Sequence, residues 1–165
     1  MLNQETAEKK IRRMALEIAE RNADKSELVI VGIRENGACI ARKIAEQLSA
    51  VFPGTLISLE CTLNKRMPDV VEFNKDLDWN NRSIILVDDV SNSGRTLLYA
   101  LKPLLQKHPA QIETLVLVER SYKKFPIAID YVGLTVSTTR TDHIVVDVEN
   151  DVVKGATLIR NGDQN

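Results

Sequence analysis

Three observations predict an α/β fold, a three-layer parallel sheet flanked by helices with a strand-rich C-terminal region, for this chain of 165 residues. Short apolar runs rich in β-branched residues, such as Leu28–Ile33 and Ile84–Val87, read as strands buried on both faces. Twice such a run passes through a small polar loop into a helical pattern, at Arg34–Gly37 and at Ser91–Arg95. The last third lacks helical periodicity and carries further strand runs, which should cap or extend the sheet.

The elements follow in order. Residues 4–22 form an amphipathic helix, with Ala7, Ile11, Met14, Ala15 and Ile18 on one stripe. Leu28–Ile33 is a strand, Arg34–Gly37 a tight loop, and Ala38–Leu48 a second helix. After Pro53-Gly54, Leu56–Leu63 is the next strand. A polar stretch, residues 64–81, contains Lys65 and Arg66, with a short hairpin strand around Val70–Phe73. It reads either as a lid or as a surface excursion. Ile84–Val87 is the central strand, and a helix from Thr96 to about Lys107 follows, with Pro103 inside or kinking it. Ile112–Val118 is a strand, residues 121–126 a basic turn, and Ile129–Val136 another strand. Ile144–Val148 and Ala156–Ile159 close the chain around an Asn150-Asp151 turn, and residues 161–165 should fray.

The composition suits one globular domain spanning residues 1–165, with 44% hydrophobic and 27% charged residues. A formal net charge of −1 does not point to nucleic acid or a membrane surface. Cys39 and Cys61 form no Cys-x-x-Cys pair, and the N-terminus lacks an apolar leader, so a reduced cytoplasmic protein is expected. No apolar run reaches membrane-spanning length. Neither Gly-x-x-x-x-Gly-Lys-Ser/Thr nor Gly-x-Gly-x-x-Gly occurs.

The chemistry concentrates in Val87-Asp88-Asp89-Val90-Ser91-Asn92-Ser93-Gly94-Arg95-Thr96. A helix begins with unpaired N–H groups and the positive end of its dipole, which suit a phosphate. Small residues let the backbone approach closely, and the hydroxyls of Ser91, Ser93 and Thr96 add donors. Asp88 and Asp89 stand at the carboxyl end of a strand, where open α/β sheets bind ligands. They can accept hydrogen bonds from sugar hydroxyls or help hold a divalent cation. Arg34-Glu35-Asn36-Gly37 uses the same strand–loop–helix device and is either a second anion site or a plain turn.

These residues resemble the type I phosphoribosyltransferases, and more closely the pyrimidine operon regulators that are also uracil phosphoribosyltransferases. The likeness runs through Ala19–Asn22, Val31–Arg34, Thr62-Leu63, the central motif, Leu117–Arg120, Asp130–Gly133 and Ser137–Asp142. Ser93 stands where Thr is usual, keeping the hydroxyl. The resemblance implies a hood over the C-terminal edge of the sheet and phosphoribosyl pyrophosphate (PRPP) as substrate. Mg2+ would arrive mainly through PRPP, with Asp88 and Asp89 in reach. It further implies that Ser91 to Thr96 (Ser91, Asn92, Ser93, Gly94, Arg95, Thr96) hold the 5′-phosphate and that Asp88 and Asp89 bind the ribose hydroxyls. Arg34, Glu35, Asn36 and Gly37 would take the pyrophosphate, in a loop that often carries a cis peptide. The stretch from Asn64 would close over the reaction with Lys65 or Arg66 as its cation. Tyr131, Val132 and Gly133 would lie beside a nucleobase, uracil first. A homodimer or larger homo-oligomer is implied too.

The pattern departs from the family in two places. Glu35-Asn36-Gly37 stands where Thr-Arg-Gly is common, and Asn64-Lys65-Arg66-Met67 where Tyr-Arg-Asp-Asp is usual. These changes motivate a second reading, a nucleotide-sensing, RNA-binding regulator with little catalysis. RNA would need a basic face, for which Arg12, Arg13, Arg140 and His143 are the candidates. Leu16 and Leu134 interrupt that face, and a solvated helix surface is the plainer explanation of the arginines.

Overall fold

The computed structural model describes residues 1–160. The expected fraying of residues 161–165 lies outside the described residues. The elements are β1 (Leu2–Asn3), α1 (Gln4–Arg21), β2 (Glu27–Ile33), α2 (Asn36–Leu48), β3 (Thr55–Leu63) and β4 (Val71–Phe73). Then come β5 (Ser83–Ser91), α3 (Arg95–Leu105), β6 (Gln111–Arg120), β7 (Tyr131–Val136), β8 (His143–Glu149) and β9 (Val152–Ile159).

Six strands form one sheet in the order β4-β3-β2-β5-β6-β7. All neighbours pair in parallel except β4, which runs antiparallel to β3 with Cys61 opposite Phe73. Each central strand is apolar on both faces because helices cover both. Leu28, Ile30, Ile85, Val87, Leu115 and Leu117 pack against the stripes of α1 and α2. Val29, Val31, Ile33, Ile84, Leu86 and Val116 pack against Leu97, Ala100 and Leu104 of α3 and against Trp79. A fully buried Leu or Ile contributes roughly 1.5–3 kcal/mol, so two continuous cores sandwich the sheet. This is the predicted three-layer arrangement.

Within the last third, β6 and β7 extend the main sheet, and β8 and β9 cap it. β8 and β9 form a second sheet, β1-β9-β8, completed by an N-terminal strand that the sequence did not announce. Leu2 pairs with Ala156 and Asn3 with Gly155. Asn3 then caps α1, its Oδ1 accepting from the Thr6 N–H at 2.9 Å. β9 starts at Val152, four residues before the apolar run that marked it, because the ladder with β8 continues to the Asn150-Asp151 turn. β7 starts at Tyr131 and not Ile129, since Asp130 turns its carboxylate onto the Thr114 N–H at 2.8 Å. Pro103 is accommodated inside α3, which ends at Leu105, short of Lys107. Among the described residues no helix is long and apolar enough to cross a membrane.

Candidate active site

β5 delivers two adjacent carboxylates to the carboxyl end of the sheet. Asp88 is 1% exposed, and its Oδ1 accepts the Asp89 N–H at 2.9 Å. Burial, and then the neighbouring Asp89, push the Asp88 carboxyl well above the usual carboxylate range, while Lys65 pulls it back. The Lys65 ammonium, from the stretch after β3, stands 3.7 Å from Asp88 Oδ1. Asp89 is anchored at both oxygens: Oδ1 accepts the Val90 N–H at 2.8 Å, and Oδ2 accepts the Asn36 amide at 3.0 Å. Gly37 allows α2 to start this close, since a Cβ there would stand 2.8 Å from the Asp88 Cα.

The chain then turns into α3. Gly94 sits at the helix N-cap with φ of 83°, in the left-handed region, and brings no side-chain cap; the Ser93 hydroxyl accepts the Arg95 N–H at 3.3 Å. The N–H groups of the first turn face the cleft with the dipole's positive end. The connection between β6 and β7 buttresses the turn, the N–H groups of Lys124 and Phe125 both donating to Ser93 O at 3.0 and 3.1 Å. The Ser91 hydroxyl and the Arg95 Nε are buried without a hydrogen-bond partner. A cleft of about 420 Å³ joins Asp88, Ser91, Asn92, Ser93, Gly94, Arg95 and Thr96 with Lys65, Arg66 and His143. His143, the first residue of β8, enters from the hood; no local motif marks it, because only the fold of the second sheet brings it there.

Other candidates are placed differently. The Arg34–Glu35 peptide is cis. Arg34 is turned to Glu60, at 3.5 Å, and Glu35 is exposed. Asn36 spends its amide on Asp89 and on the Val146 carbonyl of the hood, at 2.9 Å. The Asn92 amide likewise meets the hood, its Nδ2 donating to Ile144 O at 3.1 Å and its Oδ1 accepting from Ile144 N at 3.2 Å. Its side chain is therefore directed to β8 and only its backbone to the turn. Tyr131 does not reach the cleft: it is wholly buried at the start of β7, with its hydroxyl donating to Glu113 at 2.8 Å and accepting from Asn22 at 3.2 Å. The cause is strand alternation, which points residue 131 into the core beneath α1. The carbonyls of Val132 and Gly133 are taken by Arg13, at 2.8 and 3.0 Å. Arg13 also pairs with Glu17, and Arg140 lies over the Tyr122 ring. These two arginines thus make contacts within the chain while staying exposed; Arg12 and His143 are exposed too.

The phosphoribosyl transferase domain matches residues 1–152. The chain belongs to the phosphoribosyltransferase family. This transferase is 36% identical over 149 residues to the bifunctional protein PyrR of Streptococcus mutans serotype c, covering 87% of this chain and 84% of the relative. It is 34% identical to the PyrR of Streptococcus pneumoniae strain CGSP14 over the same length, covering 87% and 86%. Its fold superimposes on the hypoxanthine phosphoribosyltransferase of Trypanosoma cruzi with a TM-score of 0.81 and 15% identity, covering 97% of this chain and 95% of the other. A hypoxanthine-guanine phosphoribosyltransferase of Bacillus anthracis gives 0.72 and 18%, covering 95% and 96%. At such identities the superposition establishes the shared fold.

Proposed function

We propose that this transferase moves the phosphoribosyl group of PRPP to uracil, giving UMP and pyrophosphate. The observation that carries the reading is the buried Asp88–Asp89 pair running directly into the first turn of α3, with Asp88 and that turn lining one cleft. The turn from Ser91 to Thr96 supplies N–H and hydroxyl donors to the 5′-phosphate. Asp88 and Asp89 accept from the ribose hydroxyls, and Lys65 with Arg66 brings positive charge to the pyrophosphate side. The C1′–O bond to pyrophosphate breaks as the C1′–N1 bond forms; pyrophosphate departs as an anion without needing an acid, and the N1 proton of uracil passes to pyrophosphate or water.

The carboxylates suit Mg2+, which takes hard oxygen donors and keeps several ligands from substrate or water. No third Asp, Glu, His or Cys joins them in a metal-binding group among the described residues, so the ion would be held by Asp88 or Asp89 together with PRPP oxygens. When bound, it neutralises charge developing on the pyrophosphate.

Uracil is the base implied by the likeness to the pyrimidine operon regulators. Asn92 offers no carboxylate to a purine, and its amide is engaged by Ile144. The competing reading, an RNA-binding regulator, would draw on exposed Arg12, Arg13 and Arg140, of which Arg13 also bonds the Val132 carbonyl and Arg140 lies over Tyr122. The deciding experiment incubates the protein with PRPP, Mg2+ and uracil, hypoxanthine, guanine or adenine in parallel. UMP formation is expected. A purine nucleotide instead would reassign the base, and no nucleotide with any base would overturn the reading.

A further inference from the structure

Strand β8 is an edge of the hood sheet, because β9 lies between it and β1. Among the described residues no strand pairs with its outer side. Two side-chain amides meet it there, one from each loop at the end of the main sheet. Asn92 exchanges two hydrogen bonds with Ile144, as a neighbouring strand would. Two residues on, Asn36 donates to Val146 O at 2.9 Å.

Asn36 differs from Asn92 in its second bond. An Asn amide has two N–H donors, and here one goes to Val146 and the other to Asp89 Oδ2 at 3.0 Å. Neither is left for a polyanion, and the remaining group, Oδ1, is an acceptor that repels one. Asp89 Oδ1 is already held by the Val90 N–H. The Asn36 bond is thus the second anchor that fixes the rotation of the carboxylate about its side-chain bond.

We propose that Asn36 is a positioning residue: braced on Val146, its side chain orients Asp89 toward the ribose hydroxyls and does not itself bind pyrophosphate. The inference rests on the reading of Asp89 as a ribose ligand. Pre-set orientation matters because a carboxylate free to rotate must be ordered when the sugar binds.

Ribose 5-phosphate, which has the sugar and phosphate but no pyrophosphate, separates the roles. Its affinity and that of PRPP with Mg2+ are measured by calorimetry or NMR titration on wild type, Asn36→Ala and Asn36→Ser. The expected result is a loss of about fivefold to tenfold for both ligands alike, the size of one ordinary hydrogen bond. Asn36→Ser keeps a small polar residue too short to span Asp89 and Val146, so it gives the same ratio if the Ala variant folds poorly. Asp151→Asn, which weakens the tie of the hood to Arg42 at 3.1 Å, should leave both affinities within twofold. Weaker PRPP binding with unchanged ribose 5-phosphate binding would make Asn36 a direct pyrophosphate contact and overturn the proposal. So would equal loss in Asp151→Asn, which would mean general loosening of the hood. If wild type binds neither ligand, the functional reading itself falls, and this inference with it.

Discussion

The Lys65 ammonium stands 3.7 Å from an oxygen of Asp88, a carboxylate buried to 1% exposure with a second acid beside it in sequence. One half-exposed cation at that distance does not offset the loss of hydration of such a group. The site therefore holds a charge that the fold alone does not stabilise.

Asp88→Asn should raise thermal stability while abolishing PRPP binding. The amide keeps an oxygen for the Asp89 N–H and removes the buried charge; a gain of about 0.5–2 kcal/mol at pH 7 is expected. The sign follows from the raised carboxyl pKa. The wild-type penalty is absent below the unfolded pKa, appears as pH rises from there toward the folded pKa, and is full above it. The difference in melting temperature between the two proteins should thus shrink as pH falls into the acid range. A variant less stable than wild type at pH 7 would contradict this.

Gly94→Ala should destabilise the protein by roughly 1–3 kcal/mol and weaken binding of the 5′-phosphate. A Cβ at φ of 83° is strained, and it would stand 2.8 Å from Ile127 Cγ2. Denaturant melts and ribose 5-phosphate titration read the two effects.

Tyr131→Phe should cost about 1–3 kcal/mol of stability and leave the KM for the base within twofold. The ring stays in the core, but Glu113 and Asn22 lose the hydroxyl between them. A change in KM at unchanged stability would return Tyr131 to the base site.

Both cysteines should resist thiol reagents in the native state. Burial, and then Asp151, push the Cys39 thiol up to about 11; burial, and then Asp88, push Cys61 up to about 12. At pH 8 the thiolate population is small and access is closed. Labelling by a thiol-specific chromophore should be slow without denaturant and stoichiometric at two sites with it.

What was legible in the sequence was local. Asp88, Asp89 and Ser91–Thr96 are contiguous, and the apolar run before them and the helical spacing after them set their place. The contacts that revise the site are between residues far apart: Asn92 with Ile144, 52 positions away, Asn36 with Val146 at 110, and Arg13 with Val132 at 119. No pattern within a short window specifies which asparagine amide meets which carbonyl; that depends on how the second sheet docks. The direction of the Tyr131 side chain was illegible for a related reason. The resemblance implies that Tyr131 lies beside a base but not where its ring points; the register of β7 against β6, with Tyr131 opposite Leu115, decides which way the side chain faces.

The pairing of Leu2 with Ala156 places the first strand of the chain against the last. On the ribosome α1 and the main sheet can form as they emerge, but the hood must wait for β9. Asn36 and Asn92 meet β8 only then. The brace that orients Asp89 thus depends on β9 having been made, and chains cut short before β9 would carry the phosphate turn without it.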